Sequence, residues 1–431
     1  MKLSNTGMGT VKLNNLDEMY PGQSILLQTG QIVQYGAGLF GYGTVPLLLR
    51  RKIEKIIVDT LNKYGCIEVL LPTLQPDTLW KDSGRYNDYV NSGTMLITKS
   101  NKGDFCLAPT GEEAMLEFAK NKLKSYKNLP VGYYQIGEKY RNEIRTRGYL
   151  LRGKAFPMLD LYTFDKDEND MEISYENIKK AFFEIFEKIG INVISIAADN
   201  GDMGGKKSEE FMIQSEQGED KILYNEKLKI GLNTEVLERE NYQKYLKEEY
   251  NIEDLSDFKE IRAMELGHIF QLGTRYSEMM NGKYINQEGK ENLYYMGCFG
   301  IGVSRTLAAL YESCLLVDEK FGPNGFYLPE SIAPFKLQII VKTENKEKLE
   351  LAKKLYNTLK ENNIEVIIDD REYVSIGAKI KDVKIFGTPY LVVIGDKQDG
   401  DIFVVENTKT SDKKELTIQE IITMISCMDN K

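Results

Sequence analysis

Histidine and tryptophan are what this 431-residue chain has least of, with one each, at His268 and Trp80. One histidine excludes a zinc site built on two imidazoles, and it leaves one position around which a serine–histidine–aspartate relay could form. The five cysteines are odd in number and never stand in a C-x-x-C pair. They indicate neither a disulfide framework nor a zinc ribbon, and they fit a reducing compartment.

Long apolar runs are also missing. A membrane span needs about 18 apolar residues in a row, and the run Val45–Leu49 already ends at Arg50. Residues 1–19 contain no apolar core of the kind that a secretory signal needs. The net charge is −9, which argues against a basic nucleic-acid coat but leaves room for a local basic patch. We expect a cytoplasmic globular protein of about two or three domains.

The pattern along the chain predicts a main domain in two parts, a short insertion and a second domain. Residues 1–220 and 263–325 carry the main domain, and the polar segment 221–262, rich in Glu, Lys, Asn and Tyr, is interpreted as a reduced insertion. Strand and helix patterns alternate after Pro334, which predicts a small α/β domain over 335–431.

Apolar spacing and turn residues give the predicted elements of the main domain. Three expectations matter for the site: Ile67–Leu71 as a buried strand, two strands at Gly132–Tyr140 and Ala155–Phe164 around a polar loop, and a glycine turn after the strand Asn292–Met296. Helices are expected at 45–63, 112–123, 171–190 and 303–311.

Two glycine-rich stretches suggest nucleotide loops but do not match them. Residues 201–208 lack the G-x-x-x-x-G-K-[ST] spacing of a phosphate loop. Residues 297–302 contain G-x-G without the third glycine and the ribose-binding acid of a dinucleotide fold. Neither is taken as a phosphate loop or as a dinucleotide-binding turn.

The stretch 120–154 is locally basic in an acidic protein, with ten Lys or Arg against two acids. A solvated face explains the lysines of 120–127 equally well. Arginines suit bidentate phosphate recognition, so the loop between the two predicted strands fits a polyphosphate or a nucleic-acid backbone. Its arginines are Arg141, Arg145, Arg147 and Arg152.

Two further features support a nucleotide site. Arg141 and Glu143 stand two residues apart, so on a strand they would share one face. Such a pair is commonly a surface pair, but Arg305 follows the glycines at 297–302 and could stack on a purine or bind a phosphate.

These residues resemble the three signature motifs of class II aminoacyl-tRNA synthetases. Ile67–Pro72 resembles motif 1, Tyr140–Glu143 running on to Phe164 resembles motif 2, and Gly297–Arg305 resembles motif 3. The chain is most similar to bacterial-type prolyl-tRNA synthetases, through Ala108-Pro-Thr-Gly-Glu-Glu113 and Gly267-His-Ile-Phe-Gln-Leu-Gly273. The resemblance covers nearly the whole chain.

The resemblance implies an ATP site and assigns its residues. Arg141 would bind the α-phosphate, Glu143 would read the adenine amine, and Phe156 and Arg305 would sandwich the adenine ring. Arg152 and Gln271 complete the implied ATP set, and Arg141, Glu143 and Arg305 are the implied catalytic residues. Without its motif, Phe156 would be interpreted as a core residue.

A proline site is implied in the same way. A carboxylate in a tight apolar pocket suits a secondary ammonium, which has no other polar handle apart from its carboxylate. The implied proline set is Thr110, Glu112, Arg141, His268, Phe270, Cys298 and Gly300. Packing alone remains an alternative for Cys298, and a hydrogen-bonded core histidine remains one for His268.

The fold implied by the resemblance is of mixed α+β and α/β class. It is the antiparallel sheet of a class II synthetase, flanked by helices, with a C-terminal α/β anticodon-binding domain and a C2 homodimer through motif 1. The implied cofactors are ATP and Mg²⁺, and the implied partners are L-proline and tRNA(Pro). Arg145 and Arg147 would contact the tRNA, and no residue is assigned as a metal ligand.

The chain also departs from the family pattern. Lys154 and Ala155 replace an Arg-Glu pair, Leu159 replaces a lysine, and Glu209 replaces a histidine. Segment 221–262 is too short for the editing domain of many bacterial members, which implies no editing in cis and a trans-editing partner. Two alternatives stay open: a ligase that activates another amino acid or loads another acceptor, and a non-catalytic paralogue that binds tRNA or an amino acid.

Overall fold

The computed structural model describes residues 1–101, 103–320, 322–398 and 400–427. The chain divides into two compact units. One unit consists of Met1–Tyr35, Phe40–Ile53 and Leu310–Lys431, and the other of Gly36–Leu39 and Glu54–Ala309.

The helices of the described residues include the four expected ones, with ends shifted by at most three residues. They are, in chain order, α1 (Pro21–Gln28), α2 (Thr44–Lys63), α3 (Asp77–Asp82), α4 (Tyr86–Asn91), α5 (Glu112–Lys122), α6 (Glu168–Ile189), α7 (Tyr242–Tyr250), α8 (Arg275–Met279), α9 (Val303–Ser313), α10 (Lys346–Glu361), α11 (Ile376–Phe386) and α12 (Ile418–Ser426). Searched over the described residues, none of these helices combines the length and the apolar character needed to cross a membrane.

The strands are short at the ends of the chain and long around the site. They are β1 (Ile32–Gly36), β2 (Leu39–Tyr42), β3 (Ile67–Glu68), β4 (Leu74–Pro76), β5 (Leu96–Thr98), β6 (Phe105–Leu107), β7 (Val131–Tyr140), β8 (Ala155–Asp165), β9 (Ile194–Ala197), β10 (Ser208–Gln214), β11 (Asp220–Asn225), β12 (Ile230–Asn233), β13 (Lys259–Gly273), β14 (Lys283–Ile285), β15 (Glu291–Leu293), β16 (Tyr295–Gly302), β17 (Leu315–Asp318), β18 (Gly322–Phe326), β19 (Leu337–Val341), β20 (Val366–Asp369), β21 (Tyr390–Ile394), β22 (Ile402–Asn407) and β23 (Lys413–Thr417).

The grouping of the chain differs from the predicted boundary at 335. Residues 1–35 belong with the C-terminal α/β region because long-range hydrogen bonds join them. The Met1 amino group donates to Val366 O at 2.8 Å, and Glu312 accepts from the backbone of Gly22 and Gln23. Hydrogen-bond partners that lie about 290 or more residues apart leave no local pattern in the sequence. Which chain segments join in this unit could therefore not be predicted.

A nine-stranded sheet of the described residues is the frame of the second unit. Its strand order is β10-β9-β12-β11-β13-β16-β8-β7-β3, and β10 also pairs with β13. The strands that hold the site, β7, β8, β16 and β13, are antiparallel neighbours. This confirms the expected antiparallel sheet.

Helix α6 covers one face of that sheet. Its apolar residues at helical spacing, among them Tyr175, Phe182 and Phe186, are buried, as their spacing predicts. Tyr175 packs against Phe299 of β16, with ring centroids 5.8 Å apart. Asp167 caps the start of the helix by accepting from Asp170 N, and Gly190 ends it with a positive φ of 86°.

Two local expectations were wrong. Ile67–Leu71 is not a buried strand, because β3 has only two residues and Leu70 is 84% exposed. The glycines after Tyr295 do not form a turn but lie within β16. A larger residue would not fit at two of these positions, because neighbouring side chains crowd the strand. A Cβ at Gly300 would lie 2.5 Å from Met158 Cε, and one at Gly297 would lie 2.8 Å from Thr163 Oγ1.

Segment 221–262, predicted as a reduced insertion, is built into the central sheet. Strands β11 and β12 pair with each other, β11 pairs with β13, and β12 pairs with β9. Together with the β9–β10 and β10–β13 pairings, these strands close into a ring of five. A small core of Leu232, Val236, Leu246 and Ile252 holds α7 against it. A few apolar residues therefore suffice to hold this polar segment.

The C-terminal part of the other unit has the predicted α/β architecture. Its sheet has the order β20-β19-β21-β22-β23, parallel between β19 and its two neighbours and antiparallel beyond β21. Helices α10 and α12 pack on one face through a core that includes Leu355 and Ile421, and α11 packs on the other through Val383. The strand–helix alternation after Pro334 predicts this arrangement correctly.

Candidate active site

A cavity of about 410 Å³ lies on the sheet face opposite α6. Strand alternation puts its lining there: His268 and Phe270 of β13, Cys298 and Gly300 of β16, and Phe156 of β8 project to one side. The register aligns them in rows, because Phe270 pairs with Cys298 and Cys298 pairs with Tyr162. The predicted proline and ATP residues of three strands therefore meet at one surface.

The first group of polar side chains at this cavity surrounds a buried carboxylate, that of Glu112. We call Arg85, Thr110, Glu112, Tyr162 and Cys298 the Glu112 cluster. Thr110 Oγ1 donates to Glu112 Oε2 at 2.7 Å, and the Tyr162 hydroxyl donates to Oε1 at 3.1 Å. The Cys298 thiol lies 3.4 Å from Oε1, and Arg85 Nη1 donates to Oε2 at 3.0 Å.

The Glu112 cluster keeps one negative charge in a buried place. Burial by itself raises the pKa of Glu112, but the Arg85 charge and the Thr110 hydrogen bond bring that pKa below its usual value. Burial and the Glu112 charge raise the pKa values of Tyr162 and Cys298, so both stay protonated and act as donors. The arrangement suits a ligand that carries a positive charge into the cavity.

Arginines form the second group. We call Arg141, Arg152 and Arg305, with Glu143, Glu265 and Phe156, the arginine cluster. Arg152 Nε lies 3.1 Å from Glu143 Oε2, and Arg305 Nη1 lies 2.6 Å from Glu265 Oε2. The Arg141 guanidinium stands 5.3 Å from the centre of the Phe156 ring and donates from Nε to Pro109 O. All six line the cavity.

Arg145 and Arg147 lie on the same loop but outside the lining. Both are exposed, and Arg147 Nε lies 2.8 Å from Glu219 Oε1. Their position fits a contact with a large ligand outside the cavity better than a contact with a small molecule within it.

Gln271 requires a correction. It is buried on β13, but its side chain lies on the face of α6, where Nε2 donates to Glu172. Side chains alternate along a strand, so the face that presents His268 and Phe270 to the cavity turns Gln271 away from it. Gln271 is not among the residues that line the cavity.

His268 lies beside two acids, Glu210 and Glu265, and the sequence did not indicate this grouping. Its ring stacks on Phe270 with centroids 3.9 Å apart, and Nδ1 lies 3.5 Å from Glu265 and 3.7 Å from Glu210. The ligand atoms of the three polar side chains all lie within 4.8 Å of one another. Burial raises the pKa of Glu210 to about 7, while Arg305 and His268 lower that of Glu265 against the effect of its burial.

Sequence reasoning missed Arg85, Tyr162 and Glu265. Tyr162 could have been found, because it stands an even number of residues from Phe156 on the same predicted strand. Arg85 gave no signal, since only tertiary packing of the α3–α4 segment against α5 brings it to Glu112.

The sequence and the fold are similar to those of known proteins. A family model described as tRNA synthetase class II core domain (G, H, P, S and T) matches residues 95–314, and one described as anticodon binding domain matches 336–428. A proline–tRNA ligase of Rickettsia bellii (strain OSU 85-389) is 34% identical, with 97% of each chain covered. One of Wolbachia sp. subsp. Brugia malayi (strain TRS) is 36% identical, covering 98% of this chain and 99% of that one.

The chain belongs to the prolyl-tRNA synthetase family. A solved prolyl-tRNA synthetase of Cryptosporidium parvum, in complex with halofuginone and AMPPNP, has the same fold, with a TM-score of 0.74 at 14% identity. That match covers 98% of this chain and 80% of the other. Membership of this family confirms the resemblance drawn from the three motifs, together with the class II core and the C-terminal anticodon-binding domain.

Proposed function

We propose that this protein is a proline–tRNA ligase, which activates L-proline with ATP and transfers it to tRNA(Pro). The observation that carries this proposal is one cavity lined both by a buried, ionised Glu112 and by the arginine cluster. A cation-binding carboxylate and phosphate-binding arginines are what an amino acid and ATP require side by side. Relatives of the same length carry the name proline–tRNA ligase.

Proline binds through its ring ammonium at Glu112. The Thr110 hydroxyl, which donates to Glu112 here, can turn and accept from the ammonium instead. Phe270, Cys298 and Gly300 surround the ring with apolar or small groups, and His268 completes the wall. The proline carboxylate then points to Arg141.

ATP binds at the arginine cluster. Phe156 and Arg305 hold the two faces of the adenine, Glu143 accepts from its amine, and Arg152 and Arg141 contact phosphates. Arg152 and Arg305 reach their present acids through partly exposed ion pairs, which are worth little in water, so a polyanion can compete for these arginines.

Activation requires positioning and charge neutralisation but no nucleophilic side chain. A proline carboxylate oxygen attacks the α-phosphorus, the new O–P bond forms, and the bond to the bridging oxygen breaks to release pyrophosphate. Arg141 stabilises the charge that develops on the α-phosphoryl oxygens. A terminal ribose hydroxyl of the tRNA then displaces AMP from the prolyl-adenylate.

The residues around His268 fit the Mg²⁺ that the family implies. Mg²⁺ prefers oxygen ligands, and Glu265 offers an ionised carboxylate at the cavity, with Glu210 and His268 next to it. Glu265 would hold the ion, with Glu210 as the second oxygen ligand and His268 beside them. Bound there, Mg²⁺ would neutralise part of the phosphate charge.

A homodimer and tRNA binding extend the proposal. Leu70 and Leu74 are exposed next to β3, and a second copy of the chain would cover them. Arg145 and Arg147 contact the acceptor end of the tRNA, and 336–428 reads the anticodon. The strands of 221–262 add no editing domain, so any proofreading would take place in trans, in the cytoplasm.

Amino-acid-dependent ATP–pyrophosphate exchange across all twenty amino acids tests this function, with Arg141→Ala as the blank. We expect exchange with proline alone, followed by charging of tRNA(Pro). Exchange with another amino acid would replace the substrate, and no exchange by folded protein would assign the motifs to binding without catalysis.

A further inference from the structure

Arg85 lies behind Glu112, outside the lining of the cavity. It precedes α4, and its side chain is only 3% exposed. One nitrogen, Nη1, donates both to Glu112 Oε2 at 3.0 Å and to Glu113 Oε1 at 3.1 Å. A single guanidinium therefore joins the two consecutive acids at the start of α5.

Aromatic rings hold this guanidinium in place. Its central carbon lies 4.7 Å from the ring centre of Tyr89, 5.3 Å from that of Tyr276 and 5.5 Å from that of Trp80. Nη2 also donates to the Tyr89 hydroxyl at 2.5 Å. Such contacts fix the plane of the group and partly compensate its removal from water.

The two acids share this one cation unequally. Burial raises the pKa of both, and Arg85 lowers both, but the pKa of Glu112 ends below and that of Glu113 above the usual value. Glu112 also accepts from Thr110 and Tyr162, whereas Oε2 of Glu113 has no hydrogen-bond partner among the described residues. The charge therefore resides on Glu112, which faces the cavity.

The other titratable groups around Glu112 cannot replace Arg85. Asp160 is an acid, and its Oδ1 forms an ion pair with Lys139 Nζ at 2.5 Å. The remaining neighbours stay neutral because burial raises their pKa values; they are Tyr89 of α4, Tyr162 of β8, Tyr276 of α8 and Cys298 of β16.

We propose that Arg85 is a positioning residue for the amino-acid substrate: it fixes the Glu112 carboxylate in the orientation and charge state that receive the ring ammonium. The inference rests on the proposed function, since it assumes that Glu112 binds proline. Arg85 itself touches no substrate. It acts on substrate affinity and leaves the phosphoryl chemistry to the arginine cluster.

The test compares Arg85→Met and Arg85→Lys with wild type, using Glu113→Gln, at the second acid that Arg85 contacts, as the matched control. For each protein, KM for proline and kcat of ATP–pyrophosphate exchange are measured from pH 6 to 9, together with the melting temperature. Wild-type exchange with proline establishes the proposed function before any variant is compared, so the two failures are distinguishable.

In Arg85→Met, we expect KM for proline at pH 7 to rise by about a hundredfold, because a buried carboxylate has lost its partner. Burial alone then raises the pKa of Glu112, so KM should fall as the pH rises, with kcat within about twofold. Arg85→Lys should restore part of the affinity, and Glu113→Gln should leave the pH profile flat.

A purely structural role gives a different result. It predicts a lower melting temperature in Arg85→Met with an unchanged KM for proline and a flat pH profile, and that result would overturn the proposal. Should Arg85→Met fail to fold, Arg85→Lys decides alone: a KM raised by about threefold or more at unchanged kcat supports the inference, and an unchanged KM contradicts it.

Discussion

The Glu112 carboxylate and the arginine cluster line one cavity but keep their charges in different ways. Glu112 is buried, and its carboxylate accepts hydrogen bonds from four side chains. It keeps its charge through the neighbouring Arg85. In the arginine cluster, Arg152 is 46% exposed and paired with Glu143, and Arg305 is partly exposed and paired with Glu265. A buried carboxylate whose Thr110 donor can turn away is prepared for one small cation, whereas an exposed arginine such as Arg152 can exchange its acid for a phosphate.

Among variants of the arginine cluster, Arg141→Ala should have the largest effect on activity. Loss of the group that neutralises the α-phosphoryl charge should lower kcat of proline-dependent exchange by about a thousandfold. Stopped assays of pyrophosphate exchange at saturating proline measure it. Arg145→Ala, on the same loop but exposed, is the control and should exchange normally without tRNA; equal losses in both variants would contradict the assignment.

Glu112→Gln should be nearly as damaging but in proline binding alone. The amide keeps the shape and removes the charge, so kcat/KM for proline should fall by about a hundredfold. KM for ATP should stay the same, because the arginine cluster is intact. A comparable rise in KM for ATP would mean that the two clusters are not independent.

Arg152→Ala should cost about tenfold in KM for ATP, since an exposed cation contributes modestly and is screened by salt. The loss should shrink as the salt concentration rises. Arg147→Ala is a matched variant, because Arg147 and Arg152 both reach Glu219. It should leave exchange unchanged and raise KM for tRNA in the charging reaction; weakened exchange would place Arg147 in the ATP site instead.

The smallest effect concerns pH in the wild type. The pKa of Glu112 lies below its usual value, so its charge is present above that value and is lost only as the pH falls through the lowered pKa. KM for proline should therefore be flat between pH 6 and 8. A KM that rises as the pH falls from 8 to 6 would show that Arg85 does not keep Glu112 ionised.

The site was largely predictable because its residues come in local motifs. Thr110 and Glu112, or Arg141 and Glu143, stand close in sequence, and strand alternation carries Phe270 and Cys298 to the same face. Gln271 failed for the same physical reason, since its odd spacing from His268 turns it to α6. The motif was correct but the face was not considered.

Tertiary partners were beyond prediction. Arg85 meets Glu112 only because the α3–α4 segment packs beside α5, and Glu265 of β13 meets Arg305 of α9, 40 residues further along the chain. The polar segment 221–262 was underestimated because its strands depend on pairing with β9 and β13. Composition does not report hydrogen bonds between distant strands.

Separate binding measurements on two variants test the division of the cavity most directly. Calorimetric titration of Glu112→Gln and Arg141→Ala with proline alone and with ATP alone gives four affinities to set against the wild type. Glu112→Gln should lose proline affinity and keep ATP affinity, and Arg141→Ala should lose ATP affinity more than proline affinity. If each variant weakens both ligands equally, the two clusters do not divide the substrates between them.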